Sequence, residues 1–461
     1  MMQEAPRRRR SLTLDRLRRL PGVKRLLNRG GLDIGPNLDG SAADRIAAAI
    51  DEVLERHEPA ARRLAAARVL RAYAGFDDGG RRRFFELVAT RFGVDDARLA
   101  AAVDALAASD GQDPTAHAAA VRALRRAVIP RYTDLLHVVT GLPGGVKLLV
   151  DLRADLLALR STDPALALLD DELAGHLASV FDIGLLDLRR ITWEGASAAL
   201  LERLMAYEAV HEIDGWDDLK NRLDSDRRCY AFLHPAMPDE PLVFVEIALT
   251  RGIAGDLPRL LDLEAPDTDP FEADTAIFYS ITNCQPGLAR VNLGNELIKR
   301  VVQELRRDLP QLRTCATLSP MPNFRRWAEG QLRDDALSAG ERESFGGEGT
   351  TVASVLADDA WPSDPILVEQ LRPGLLSMAA RYATGSSNGR ALDPVGHFHL
   401  SNGASVERVN WLANPAPYEM QRSFGLMVNY KYDSDTLEEN VEQYLARGAI
   451  KASGGVRGLI R

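Results

Sequence analysis

The side-chain pattern of this chain changes character near residue 181, and that change limits what it can fold into. From Ser41 to about Phe181 apolar residues recur at helical spacing. "SAADRIAAAIDEVLERH" opens on Ser and Asp and sets Ile46, Ile50, Val53 and Leu54 on one stripe. "GGRRRFFELVATRFG", "DDARLAAAVDALAAS", "DPTAHAAAVRALRRAVI" and "DPALALLDDELAGHLASVF" continue it, punctuated by Asp, Gly and Pro. Alanine is abundant and β-branched runs are scarce, as helix propensity favours. The spacing predicts an antiparallel helical bundle over residues 41–185. No polar constellation collects there, so its expected task is packing or assembly. Residues 1–40 begin "MMQEAPRRRRSLTLDRLRRL" and read as a solvated basic arm; Glu4 and Asp15 weigh against a mitochondrial presequence.

Past residue 186 the texture is mixed. A connector helix, "ASAALLERLMAYEAVHEI", precedes three β-like runs, "RCYAFLH", "PLVFVEIAL" and "TAIFYSITN"; the Pro-rich "PAMPDEP" suits a hairpin between the first two. "TCATLSP" reads as a strand and "NFRRWAEGQL" as a helix. Residues 338–363 look loose, and "ILVEQLRPGLLSMAARYA" is helical. "GHFHLSNGASVERVNWL" and "FGLMVNYKY" read as closing strands. The fold class is therefore α+β: an all-α bundle, then a mixed α/β layer over residues 186–461.

Composition removes several classes of function. Apolar residues are 46% and charged residues 27%, and the net charge of −9 gives no general attraction to nucleic acid or acidic lipid. Neither partner is expected, and no apolar run is long enough to suggest a membrane span. Three cysteines without C-x-x-C spacing argue against a zinc ribbon or a disulfide framework, and fit a reducing compartment. The expected site is cytoplasmic, and the Ala/Arg-rich composition suggests a bacterial source. "GLIR" at the C-terminus is not a peroxisomal address.

The stretch most suited to a ligand is "AIFYSITNCQPGLARVNLGNELIKRVVQEL", Ala276 to Leu305. A strand, a glycine-bearing turn and a helix N-terminus make an anion site from unpaired N–H groups and the helix dipole. The spacing is neither that of a nucleotide P-loop nor G-x-G-x-x-G. It resembles the pyrophosphate-binding segment of the acyl-CoA-using GNAT fold. The strings "HPAMPDEPLVFVEIALT", "AIFYSIT", "LGNELIKRVVQEL", "TLSPMPNFRRW", "FHLSNGASVERVNW" and "GLMVNYKY" together resemble the malonyl-CoA decarboxylase family, over roughly Leu186 to Tyr432. The helical part is similar to that family's helical domain in layout.

The resemblance implies a GNAT-like catalytic domain that converts malonyl-CoA to acetyl-CoA and CO2. It implies Ser280 as catalytic serine, His399 as catalytic histidine and Tyr432 as an active-site tyrosine. CoA would be met by Gln285, Gly287, Leu288, Ala289, Arg290, Gly294 and Asn295, and by a second loop with Gly252, Ile253, Ala254 and Gly255. No added cofactor or metal is expected, because the thioester carbonyl is itself the electron sink. Homodimers or homotetramers through the helical domain are expected. His397 is an addition to the family's pattern; if "GHFHL" is a strand, His397 and His399 share a face and could form a metal pair, though no third ligand is evident. "GSSNG" at residues 385–389 satisfies G-x-S-x-G but lacks the strand before it and the helix after it, so it reads as a linker. Competing readings are an acyl-CoA N-acyltransferase, a non-catalytic acyl-CoA sensor and, more remotely, a zinc hydrolase.

Overall fold

The computed structural model describes residue 32 and residues 34–109, 113–159, 162–291, 293–346, 349–358 and 360–460. Residues 1–31, most of the segment read as a basic arm, lie outside the described residues. The chain forms two compact units. One takes the residues up to Asp187 with Leu233–Leu242 and Cys284–Leu293; the other takes Leu188–Phe232, Val243–Asn283 and Gly294–Arg461.

The first unit is helical: α1 (Gly40–Glu55), α2 (Pro59–Tyr73), α3 (Asp78–Arg91), α4 (Asp96–Ala108), α5 (Pro114–Ala127), α6 (Tyr132–Thr140), α7 (Gly145–Ala158) and α8 (Pro164–Val180). The punctuating aspartates are N-caps. Asp39, Asp77, Asp95, Asp113 and Asp163 each accept a first-turn N–H, with proline in the opening positions of α5 and α8. The stripe on α1 faces the core through Ile46, Ile50 and Val53, with Leu54 half-buried. Cys284–Leu293 folds onto α7. Fully buried Arg153 donates to the carbonyls of Gly287 (2.7 Å) and Ala289 (2.8 Å) and pairs with Asp170.

The second unit holds an eight-stranded sheet of order β1-β2-β3-β4-β5-β10-β6, with β9 paired to β10. Its strands are β1 (Asp187–Ile191), β2 (Arg227–Leu233), β3 (Val243–Thr250), β4 (Thr275–Asn283), β5 (Thr314–Thr317), β6 (Ser319–Pro320), β9 (Ser405–Asn410) and β10 (Met427–Tyr432). β7 (Ser386–Ser387) and β8 (Arg390–Ala391) form a separate hairpin. β2, β3 and β4 run antiparallel, whereas β4 and β5 are parallel across α10 (Leu293–Asp308). This is the mixed layer that the sequence led us to expect after a helical region.

Several elements differ from expectation. "GHFHLS" is helical: α12 (Pro394–Ser401) is capped by Asp393, whose carboxylate accepts the Gly396 N–H, and the strand begins only at Ser405. Asp-Pro is a helix-start signal that outweighs the His/Phe/Leu alternation. "GSSNG" is a tight hairpin, not a linker: Asn388 and Gly389 take positive φ values of 50° and 75° between β7 and β8. The region read as loose contains the helices Ala339–Phe345 and Gly349–Leu356. The helix α11 (Pro365–Thr384) follows as expected, while α13 (Leu437–Arg447) and β1 carried no clear signal.

Candidate active site

The site is built where β4 and β5 part. Their parallel register runs Ala276↔Cys315, Ile277↔Ala316 and Phe278↔Thr317, and the Leu318 N–H still donates to the Phe278 carbonyl. Continued, it would set Ser280 opposite Ser319. Instead Ser319 turns to pair with Val428 of β10, so the two serines stand on diverging strands. On its other edge β4 carries a bulge. Glu246 faces Ser280 and Ile247 faces Phe278, leaving Tyr279 as the extra residue. Bulges re-aim the side chains beside them. The Tyr279 carbonyl accepts from Nε2 of buried His211 (3.1 Å).

Ser280 is buried and its hydroxyl donates to Glu208, 2.9 Å from each carboxylate oxygen. Thr282, on the same strand face, donates to Glu208 at 3.0 Å. Glu208 directly follows α9 (Ala198–Tyr207), and its Oε1 also accepts the N–H groups of Val210 (2.7 Å) and His211 (2.8 Å). Behind Ser280, burial pushes the Glu246 carboxyl up to about 8, helped by the nearby charge of Glu208 and opposed by Arg222 at 3.1 Å. Burial and the Arg222 charge push His211 down to about 4.

His399 sits on α12 with both ring nitrogens engaged. Nδ1 is 2.8 Å from the Tyr432 hydroxyl and Nε2 is 3.0 Å from the Ser319 hydroxyl. Because Ser319 donates its proton to Thr317 (2.8 Å), Nε2 carries the imidazole hydrogen and Nδ1 accepts from Tyr432. The ring stacks on Tyr430 with centroids 4.7 Å apart. Burial pushes His399 down to about 3, so the imidazole is neutral, and burial raises Tyr432 well above the phenol range. His399 and Tyr432 are thus joined. Ser280 and His399 are not joined to each other: each has its own partners.

His397 does not share a face with His399, since two residues on a helix differ by about 200°. Its Nδ1 lies 2.7 Å from the Tyr444 hydroxyl, which accepts the Ala391 N–H. On this helix the two histidines lack the shared strand face that a metal pair required. Among the described residues no group of three His, Cys, Asp or Glu is placed to hold a metal ion.

The residues assigned to CoA fall in several settings. Gln285 donates to the Pro241 carbonyl at 2.9 Å, and Gly287 presses so closely on Val150 that a Cβ would lie 1.8 Å from its carbonyl oxygen. The N–H groups of Leu288 and Ala289 are spent inside the turn. Arg290, at φ 71°, is paired with Asp170 and Asp171. Gly294 and Asn295 lie in the first turn of α10, whose opening N–H groups have no intrahelical acceptor. A Cβ on Gly294 would stand 3.1 Å from the ring of Phe398, the neighbour of His399. In the second loop Arg408 holds the Ile253 carbonyl (2.8 Å) and Asn429 the Ala254 carbonyl (2.9 Å). Gly252 has φ 75°, and Gly255 leaves no room for a side chain beside Asn410 and Arg408. Asn429 also donates to the Thr317 carbonyl, which ties this loop to the end of β5.

Sequence reasoning missed Glu208, Ser319 and Thr317. Thr282 was within reach, two residues from Ser280 on one strand. Ser319 required the β4–β5 register, and Glu208 lies 72 residues from Ser280 with no local motif.

Comparison with known proteins gives one answer. Residues 184–461 match the family described as the malonyl-CoA decarboxylase C-terminal domain, and residues 92–181 match the malonyl-CoA decarboxylase N-terminal domain. The mitochondrial malonyl-CoA decarboxylase of the goose Anser anser anser is 35% identical over 94% of this chain and 92% of its own length. The crystal structure of malonyl-CoA decarboxylase from Agrobacterium vitis is 39% identical, covers 90% of this chain and 99% of its own, and superposes with a TM-score of 0.82. That from Rhodopseudomonas palustris is 39% identical with the same coverage and a TM-score of 0.80.

Proposed function

The chain belongs to the malonyl-CoA decarboxylase family, and from that premise we propose that it converts malonyl-CoA to acetyl-CoA and CO2. The observation that carries the reading is the buried His399, held between Tyr432 and Ser319 beside strands that part at Ser280. Decarboxylation breaks the C2–carboxylate bond and leaves its electron pair in a thioester enolate. The site must orient the carboxylate, stabilise the developing oxyanion with fixed donors, and return one proton to C2.

Ser280 meets the malonyl group. His399 supplies the proton from Nε2, with Tyr432 holding Nδ1 and fixing the ring. The arriving carboxylate is the charge that favours the imidazolium form in this dry setting. Along β4, alternation of the ladder with β3 turns the Ile281 N–H towards the side that β5 has left, where it serves the thioester oxygen. The CoA phosphates take the first N–H groups of α10 at Gly294 and Asn295, with Gln285, Gly287, Leu288, Ala289 and Arg290 supporting that loop. Residues 252–255 line the other side of the acyl chain. Since the thioester is the electron sink, none of these steps calls for a cofactor. The protein acts in the cytoplasm as a homodimer or homotetramer. No helix among the described residues is long and apolar enough to cross a membrane.

The test is to incubate the purified protein with malonyl-CoA and follow CO2 and acetyl-CoA, with an amine acceptor in a parallel sample. Equimolar CO2 and acetyl-CoA are expected. Acyl transfer to the amine without CO2 would replace this reading with an N-acyltransferase.

A further inference from the structure

Ser280 is not a free hydroxyl. Both oxygens of Glu208 stand 2.9 Å from its Oγ, and that carboxylate is itself fixed by the Thr282 hydroxyl and the N–H groups of Val210 and His211. The location is unfavourable for an anion, because Glu208 sits at the C-terminal, negative end of α9. Two backbone donors and two hydroxyls offset this, and three of these four donors lie on residues that are themselves buried: Ser280, Thr282 and His211. A carboxylate held this way has one consequence for Ser280. The single hydroxyl proton points at Glu208, which holds the rotamer of Ser280.

We propose that Glu208 is the positioning residue for Ser280 in the decarboxylation. It fixes the rotamer of the hydroxyl and so sets where Oγ stands beside the parting strands. This rests on the decarboxylase reading and assigns the second half of its serine chemistry. The bulge at Tyr279 belongs to the same device. Its carbonyl is taken by His211, whose own N–H is bound by Glu208, so strand and carboxylate are locked together.

The experiment measures CO2 release from malonyl-CoA for wild type, Glu208→Gln, Ser280→Ala and the double variant, with circular dichroism as a folding control. Glutamine offers one acceptor and brings an NH2 towards donors that already point inward. The expected result for Glu208→Gln is a kcat lower by roughly 100-fold, the cost of misplacing a reacting group. KM should stay within about threefold, as for a group that acts only in the reacting complex. In the Ser280→Ala background the same change should cost less than about twofold, because residues acting as a unit are not additive. Glu208→Asp, which keeps the charge but draws it back from Ser280, replaces glutamine if that variant does not fold, and should recover part of the rate. An active wild type whose kcat is unmoved by Glu208→Gln, or a loss that is equally large without Ser280, would overturn the positioning role alone. A wild type that releases no CO2 would overturn the decarboxylase reading and the positioning role with it.

Discussion

His399 is buried, no carboxylate of the described residues stands at hydrogen-bond distance, and its neighbours are hydroxyls and an aromatic face. Burial therefore depresses its pKa to about 3, and protonation of the free protein becomes the scarce event. If His399 delivers the proton, it must gain it together with the substrate. The profile of kcat/KM reports groups in the free enzyme, so log kcat/KM should fall by about one unit per pH unit between roughly pH 5 and pH 8. The profile of kcat should be flatter, since the bound carboxylate then supports the imidazolium. A flat kcat/KM across this range would exclude His399 as the protonated donor. His399→Asn should lower kcat by about 100- to 10,000-fold, the usual contribution of a positioned acid. At this scale the sequence disclosed only what sits in a string. Ser280, His399 and Tyr432 lie in "FYSIT", "FHLSNGA" and "NYKY", whereas Ser319 and Glu208 enter through pairings across 80 and 72 residues.

Elements place these residues, and α12 is the clearest case. Its alternating apolar pattern reads as a strand, yet Asp393 and Pro394 start a helix and so separate His397 from His399. Asp393 holds the cap at a cost, because burial pushes its carboxyl up to about 7, far above the unfolded value of about 3.9. The native state then binds the proton more firmly between those two values. The contribution of this group is full below about pH 4 and is lost as pH rises through 7. Asp393→Asn keeps a good capping side chain and cannot ionise. Its advantage over wild type should grow by on the order of 1–3 kcal/mol from pH 5 to pH 8, in urea unfolding at the two pH values. No growth in that advantage would mean that the carboxyl is ionised at little cost. In the turn Cys284–Leu293 the resemblance set Gly287 among the residues that meet CoA. The structure gives the glycine a nearer reason, the carbonyl of Val150. Gly287→Ala should cost about 1–3 kcal/mol or more in thermal unfolding, even without ligand. A neutral result would return Gly287 to the ligand argument.

For the whole molecule, the division into helical and mixed regions was legible because periodicity and alanine content act locally. The discontinuous make-up of the first unit was not, because Cys284–Leu293 joins it through Arg153 and the close packing of Gly287 on Val150. The same unit displays a surface with no local explanation. α4 buries only Ala102, and α5 buries only Ala120 and Ala127. Val103 is 48% exposed, Val121 37%, Val128 48% and, just beyond α5, Ile129 54%. Branched apolar side chains clustered on a pair of helices are costly in water, at about 25 cal/mol for each Å² that could be covered. This cluster is where the proposed self-association would gain most. Val121→Glu combined with Ile129→Glu should lower the mass measured by light scattering from the oligomer towards the monomer. The unfolding midpoint of a dilute sample should change little, since neither side chain packs in the core. If the wild type is already monomeric at micromolar concentration, or if the double variant keeps the full oligomer mass, the helical hairpin is not the contact, and its apolar residues need another partner.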